Sequence, residues 1–228
     1  MTIARSYLKQ HFPGLWNRLR SVQRSLRDAP TGRLFKAIYE SNAWGAEESR
    51  SGPGSTLDGT AQLRRRLPEL LREIGTRTLL DAPCGDYRWM REVELPGLSY
   101  IGADVVPGLI ADNQARYGAP AKRFLVLDII KDPLPAADVI LCRDCLVHFS
   151  DRRIRAAVKN FRRSGATYLL TTTFPDHGAS QSIISGQWQP LNLERPPFNF
   201  PAPLRTIHEG LEGEYRDKTL ALWRIADL

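Results

Sequence analysis

The chain has 228 residues, 42% of them apolar, which is enough to bury one core of domain size. No run of about 18 apolar residues occurs, and the first residues lack the apolar core of a secretory signal, so we expect neither a membrane span nor export. Three cysteines at low density exclude a disulfide framework and favour a cytoplasmic protein.

Positive charge is concentrated at the start of the chain. Residues 1–30 hold six basic residues and one acid, which accounts for most of the net charge of +7. Leu15, Leu19, Val22 and Leu26 follow helical spacing and predict a basic amphipathic extension, either docked on the folded body or touching an anionic membrane surface. Because no basic patch interleaved with aromatic residues recurs later, we expect no nucleic-acid partner.

The next segments predict a helix, a loop and a second helix. Residues 31–50 favour a short helix followed by a turn at Trp44-Gly45, and SGPGS at 51–55 has the composition of a loop. A helix is predicted from Thr56 to Gly75, kinked at Pro68.

A regular alternation of strands and helices follows and predicts an α/β fold. The expected architecture is a doubly wound, mostly parallel, seven-stranded sheet with helices on both faces and an antiparallel edge hairpin around Tyr215 and Thr219–Ile225. The predicted strands are Thr78–Asp81, Ser99–Ala103, Phe124–Leu127, Asp138–Cys142 and Tyr168–Thr173, and the predicted helices are Tyr87–Glu94, Gly108–Tyr117 and Asp151–Arg163.

Residues 175–208 contain six prolines and show no periodicity, which predicts an irregular lid over a substrate. His177, Trp188 and Asn192 of this lid mix aromatic and amide groups, a combination that suits a sugar, and Trp44 is expected to close over the same site. The alternative is that the aromatic residues of the lid pack as a minor core.

The segment LLDAPCGDYRWM at 79–90 predicts a strand, a tight turn and a helix start, the unit at which doubly wound folds bind an adenosine-containing ligand. Gly85 would let the backbone approach that ligand closely. Acids at or just past the predicted strand ends should line the same edge of the sheet: Asp81, Asp104, Asp128 and Asp144. Asp104 follows Asp81 at about the spacing at which an acid meets ribose hydroxyls.

The choice of ligand depends on charge. A dinucleotide needs a glycine-rich turn for its pyrophosphate, but G-x-G-x-x-G is absent and Asp86 would repel phosphates. S-adenosylmethionine carries a sulfonium and an ammonium group and no phosphate, so acids in the turn favour it.

Four motifs make the chain resemble the class I (Rossmann-like) S-adenosylmethionine-dependent methyltransferases over roughly residues 60–170: LLDAPCGD, GADVVP at 102–107, VLDI at 126–129 and ADVILCRDCLVHF at 137–149. Pro83 and Tyr87 replace two of the usual glycines. The SGPGS loop and the lid also resemble bacterial methyltransferases of glycan biosynthesis. The resemblance implies a methyltransferase domain over 31–228.

The resemblance also implies a cofactor site. Asp81 and Gly85 would line the methionine end, Asp86 would reach the ammonium group, Asp104 would hold the ribose and Asp128 the adenine amino group. Cys84, Val105, Ile129 and Arg143 complete the implied set.

For the chemistry, His148 is the candidate base that removes the proton of an acceptor hydroxyl, and Asp144 would orient it, bind the acceptor or hold a divalent ion. A structural His148 is the alternative. We assign no metal, although Asp144, Asp176 and His177 would be candidates if they converged, and we expect Cys142 and Cys145 to be structural. The expected acceptor is a saccharide or another polar small molecule; the alternatives are N-methylation of an amine or protein, and a non-catalytic partner subunit.

Overall fold

The computed structural model describes residues 30–45 and 47–228. The predicted basic extension therefore lies, apart from Pro30, outside the described residues. The described part of the chain contains no helix that is both long and apolar enough to cross a membrane.

A seven-stranded sheet forms the centre of the fold, and it confirms the predicted architecture. The strand order is β3-β2-β1-β4-β5-β7-β6, with the first five strands parallel and β7 antiparallel to both β5 and β6. The strands are β1 Thr78–Asp81, β2 Ser99–Asp104, β3 Lys122–Val126, β4 Val139–Cys142, β5 Tyr168–Thr173, β6 Arg205–His208 and β7 Thr219–Arg224.

In the described part of the chain, four α-helices accompany this sheet, and two of them lie close to their predicted bounds. They are α1 Thr31–Glu40, α2 Ala61–Glu73, α3 Pro107–Tyr117 and α4 Asp151–Arg163. Helix α2 begins later than predicted, encloses Pro68, and buries the expected leucine face of Leu63, Leu67, Leu70 and Leu71.

The sheet is covered on both faces because adjacent residues of its strands point in opposite directions. Leu80 of β1 packs in the cluster that contains Ile154 and Phe161 of α4, whereas Leu79 packs with Leu63 of α2 and Ile110 of α3. A sheet of this kind leaves its carboxyl edge free for a ligand.

The helix predicted over Tyr87–Glu94 is wrong. The structure has turns there and one 3₁₀ turn at Met90–Glu92. Tyr87 adopts a φ of 58°, a left-handed conformation that cannot belong to a right-handed helix, and its ring packs on Tyr100 and Phe124. The turn after β1 is therefore not followed directly by a helix N-terminus.

The edge hairpin exists, but its first strand is β6, which lies within the residues predicted as lid. Tyr215 belongs instead to a 3₁₀ turn, Gly213–Tyr215, between β6 and β7. Strand β6 is short and buries only Ile207, so it carries no visible alternation in the sequence. The irregular segment consequently ends at residue 204.

Gly102 in β2 provides a test of sheet packing. A Cβ at this position would lie 2.5 Å from Cδ1 of Phe124, so we expect Gly102→Ala to lower the free energy of unfolding by about 1–3 kcal/mol in urea titrations. Gly108→Ala, where a Cβ meets nothing within 4 Å, is the matched control and should be neutral or slightly stabilising. Equal effects of the two substitutions would contradict this packing.

Candidate active site

A pocket of about 970 Å³, including its open mouth, lies at the carboxyl edge of the sheet. Asp81 ends β1, Asp104 ends β2, and Arg143 and Asp144 directly follow β4. The pocket wall contains every residue predicted for the cofactor and the chemistry, together with Trp44: Asp81, Cys84, Gly85, Asp86, Asp104, Val105, Asp128, Ile129, Arg143, Asp144 and His148.

Two buried carboxylates define one side of the pocket. Asp104 accepts hydrogen bonds from the backbone N–H groups of Gly85 (3.3 Å) and Val106 (3.1 Å), and burial raises its pKa to about 6. Asp81 accepts a bond of 2.6 Å from the Tyr100 hydroxyl, and burial raises its pKa to about 7. A cationic ligand would favour the ionised form of both groups.

Asp128 follows β3 and is also buried. Its carboxylate accepts a hydrogen bond from the backbone of Ile130 (3.0 Å), and its own N–H donates to Asp132 (2.8 Å). These bonds shape the turn that presents Leu127 and Ile129 to the pocket.

The Asp86 carboxylate holds the SGPGS loop over the pocket. It accepts bonds from the Ser49 hydroxyl (2.9 Å), the Arg50 N–H (3.0 Å), the Ser51 hydroxyl (3.3 Å) and the Arg88 N–H (3.2 Å). With four protein partners, its observed role is to anchor this loop, and contact with an ammonium group stays a prediction.

Gly85 is needed for the same closure. Its φ is +54°, and a Cβ would lie 2.2 Å from the Ser51 hydroxyl oxygen. Gly85 therefore allows the SGPGS loop to pack closely against the turn after β1. Gly85 also lines the pocket.

Helix α1 forms a wall that the sequence analysis did not assign. Thr31, Phe35 and Tyr39 lie one helical turn apart and all face the pocket, and the Trp44 ring lies 5.1 Å from the His148 ring. The i, i+4, i+8 spacing of these residues was the available signal, but it also fits an ordinary core-facing helix.

The lid residues lie elsewhere. Trp188 packs against Tyr215 at 4.9 Å, the His177 ring pairs with Asp217 at 3.0 Å, and Asn192 donates to the carbonyl groups of Pro175 and His177. None of the three lines the pocket, contrary to their predicted place in the acceptor site. This arrangement matches the alternative in which the lid aromatics pack as a minor core.

Four charged side chains contact one another beside the pocket; Arg143, Glu209 and Lys218 are buried and Asp144 is partly exposed. Arg143 binds Glu209 through two hydrogen bonds of 2.6 and 3.1 Å and contacts Asp144 at 3.2 Å, and Lys218 contacts Asp144 at 2.6 Å and Glu209 at 3.1 Å. Arg143 and Lys218 hold the pKa of Asp144 at about 2. The sequence analysis missed Glu209 and Lys218 because nothing local shows that β6 and β7 deliver them to the end of β4.

His148 has the geometry of a base. Its Nδ1 lies 3.0 Å from the Gln187 carbonyl, which can only accept, so Nδ1 carries the proton and Nε2 keeps its lone pair. Burial lowers the pKa of His148, which keeps the ring neutral. The lid backbone, rather than Asp144, therefore orients this ring, and Nε2 has no hydrogen-bond partner among the described residues.

The described residues contain no group of three His, Cys, Asp or Glu side chains placed to hold a metal ion, so Asp144, Asp176 and His177 do not form such a group. All three cysteines are free and buried, and burial raises the pKa of the Cys84 thiol well above its usual range. A structural role for them fits this environment.

No protein-family model and no curated protein matches the sequence. Among solved structures, human N-acetylserotonin methyltransferase in complex with S-adenosylmethionine has a TM-score of 0.54 at 16% identity, over 96% of this chain and 68% of that one. Magnesium protoporphyrin IX methyltransferase from Synechocystis PCC 6803, with bound S-adenosylmethionine, has a TM-score of 0.51 at 14% identity, over 96% and 94%.

A third structure is the 1,6-didemethyltoxoflavin-N1-methyltransferase of Burkholderia thailandensis with bound 1,6-didemethyltoxoflavin and S-adenosylhomocysteine. Its TM-score is 0.53 at 16% identity, over 72% of this chain and 78% of that one. The chain has a Rossmann-like methyltransferase fold. At these identities the similarity establishes the fold alone.

The ion pairs of Lys218 and Lys36 should contribute differently to the free energy of unfolding. Lys218→Met should lower the free energy of unfolding by about 3–5 kcal/mol because it leaves Asp144 and Glu209 with one cation between them. Lys36→Met removes the exposed pair with Glu40 and should cost less than about 1 kcal/mol. Similar losses of unfolding free energy for Lys218→Met and Lys36→Met in denaturant titrations would contradict a buried ion-pair network at Lys218.

Proposed function

We propose that this chain binds S-adenosylmethionine in the pocket and transfers its methyl group to an acceptor hydroxyl. The observation that carries the proposal is the charge of the pocket wall: five aspartates and one cation, Arg143, which is already bound to Glu209. Such a wall favours a ligand with cationic groups and disfavours a pyrophosphate. The bound ligands of the three structural neighbours support the same choice.

The residues present fit this cofactor. Asp104 would accept bonds from ribose hydroxyls, Asp128 from the adenine amino group, and Asp81 with Gly85 would line the methionine end. Asp104 keeps lone pairs for this task because a carboxylate offers about four acceptor positions and its backbone partners, Gly85, Val105 and Val106, do not fill them all. When bound, the cofactor supplies a methyl group that its sulfonium already activates.

The protein itself must remove the acceptor proton and exclude water from the reacting groups. Nε2 of His148 takes the proton of the acceptor hydroxyl, while the Gln187 carbonyl fixes the tautomer that leaves Nε2 unprotonated. Asp144 cannot compete as the base because Lys218 and Arg143 stabilise its ionised form. Phe35, Trp44 and Phe149 exclude water from this end of the pocket.

For the acceptor we propose an uncharged ring compound such as a saccharide. The face of Trp44 suits the apolar face of a ring, and the described residues of the pocket wall include no unpaired cation for a phosphate or a carboxylate. A role in glycan biosynthesis rests on the motif resemblance. The free, buried cysteines support a reducing, cytoplasmic location.

Cofactor binding is tested by calorimetry with S-adenosylmethionine. Asp104→Asn removes one negative charge, keeps an acceptor oxygen, and should weaken binding by about 10- to 100-fold. Asp176→Asn, an exposed change outside the pocket wall, should leave the affinity unaltered. Unchanged affinity in Asp104→Asn, or no binding to the natural chain, would contradict the proposed cofactor site.

The affinity for S-adenosylmethionine should also depend on pH. Because burial raises the pKa of Asp104 to about 6 and that of Asp81 to about 7, a cationic ligand must displace their protons. Affinity should therefore rise between about pH 5 and about pH 8, with proton release seen as a dependence of the binding heat on the buffer. A flat profile would mean that binding of the ligand does not require the ionised form of either acid.

Catalysis is tested with labelled cofactor and a panel of neutral sugars, phenols and amines. His148→Asn should lower kcat by about 100-fold or more while the cofactor affinity is retained. His208→Asn, an exposed histidine outside the pocket wall, is the control. Full activity of His148→Asn would remove the base from the mechanism, and transfer only to amines would overturn the hydroxyl acceptor.

A further inference from the structure

One face of helix α4 carries a row of cations. Its exposed basic residues are Arg152, Arg155, Lys159, Arg162 and Arg163, defined here as the basic face. At 100° per residue they fall within an arc of roughly 100° and extend over about 16 Å of helix. The opposite face of α4 packs on the sheet through Ile154 and Phe161.

The basic face places five exposed cations in one row on a single helix. Elsewhere in the described chain Lys36 pairs with Glu40, Arg66 with Glu69, Arg88 with Glu48 and Arg205 with Glu73. Other exposed cations, such as Arg33 and Arg123, take part in no ion pair between described residues but lie on separate elements. No residue of the basic face takes part in an ion pair between described residues. Helix α4 itself has one acid, Asp151, in its first turn. The positive charge of this face is therefore not neutralised by its own surface.

The position of the basic face links it to the pocket. Helix α4 begins three residues after His148, at the same edge of the sheet. Beside it, the Arg155 guanidinium donates to the Pro197 carbonyl at 2.8 Å and lies 5.6 Å from the centre of the Phe198 ring. This loop adds a further exposed cation, Arg195.

We propose that the basic face docks the protein on the anionic surface of a lipid bilayer. A straight row of unpaired cations on a convex helix suits a flat, diffuse negative surface, where each cation contributes without a fixed partner. A nucleic acid fits less well, because none of the aromatic side chains among the described residues is fully exposed, and bases bind to exposed aromatic platforms. The net charge of +5 on residues 1–30 would strengthen the attraction to an anionic bilayer.

The test is co-sedimentation of the full chain with vesicles of phosphatidylcholine, with and without phosphatidylglycerol. The natural chain should bind only the anionic vesicles, and salt should weaken the binding. The triple variant Arg152→Gln, Lys159→Gln and Arg162→Gln should bind them roughly 100-fold more weakly. Arg65→Gln, Arg66→Gln and Arg72→Gln on helix α2 remove the same charge from exposed positions and should change binding by less than about 3-fold.

Three outcomes would overturn the proposal: no binding to anionic vesicles, equal losses in the two triple variants, or tighter binding of the basic face to single-stranded RNA than to the vesicles. An unchanged midpoint of unfolding in urea for both variants shows that each is folded. Neither the vesicle result nor its failure depends on the proposed methyl transfer.

Discussion

Four charged side chains in mutual contact, three of them buried, hold the parts of the pocket in place. Arg143 and Asp144 come from the end of β4, while Glu209 and Lys218 come from the ends of β6 and β7. Arg143 also donates to the Gly54 carbonyl at 2.7 Å, which ties the SGPGS loop to the sheet. Removing one charge from such a group leaves another buried without compensation, so the group behaves as a unit.

The same network sets the polarity of the pocket. Because Arg143 is bound to Glu209, its charge is not available to a phosphate, and the aspartates at the ends of the strands dominate the wall. The turn after β1 also lacks the G-x-G-x-x-G pattern that would cradle a pyrophosphate. Charge and backbone therefore favour the same ligand class, a nucleoside with cationic rather than anionic substituents.

Sequence reasoning placed the strand-end acids correctly because parallel strands bring their carboxyl ends to one edge, so Asp81, Asp104 and Asp128 had to meet. Sequence reasoning failed where a residue's position depends on contacts with residues far away in the chain. Glu209 and Lys218 reach the site only through the pairing of β6 with β7, and the left-handed backbone of Tyr87 is fixed by packing against Tyr100 and Phe124. The composition of the lid suggested sugar recognition, but composition does not reveal which surface a loop covers.

The most direct measurement is a crystal structure of the protein grown with S-adenosylhomocysteine. The account predicts the nucleoside at the carboxyl edge of the sheet, its ribose hydroxyls on Asp104 and its sulfur on the side of His148 and Trp44. A ligand bound elsewhere, or a pocket that excludes the nucleoside while Asp81 and Asp104 stay paired only with protein groups, would contradict it.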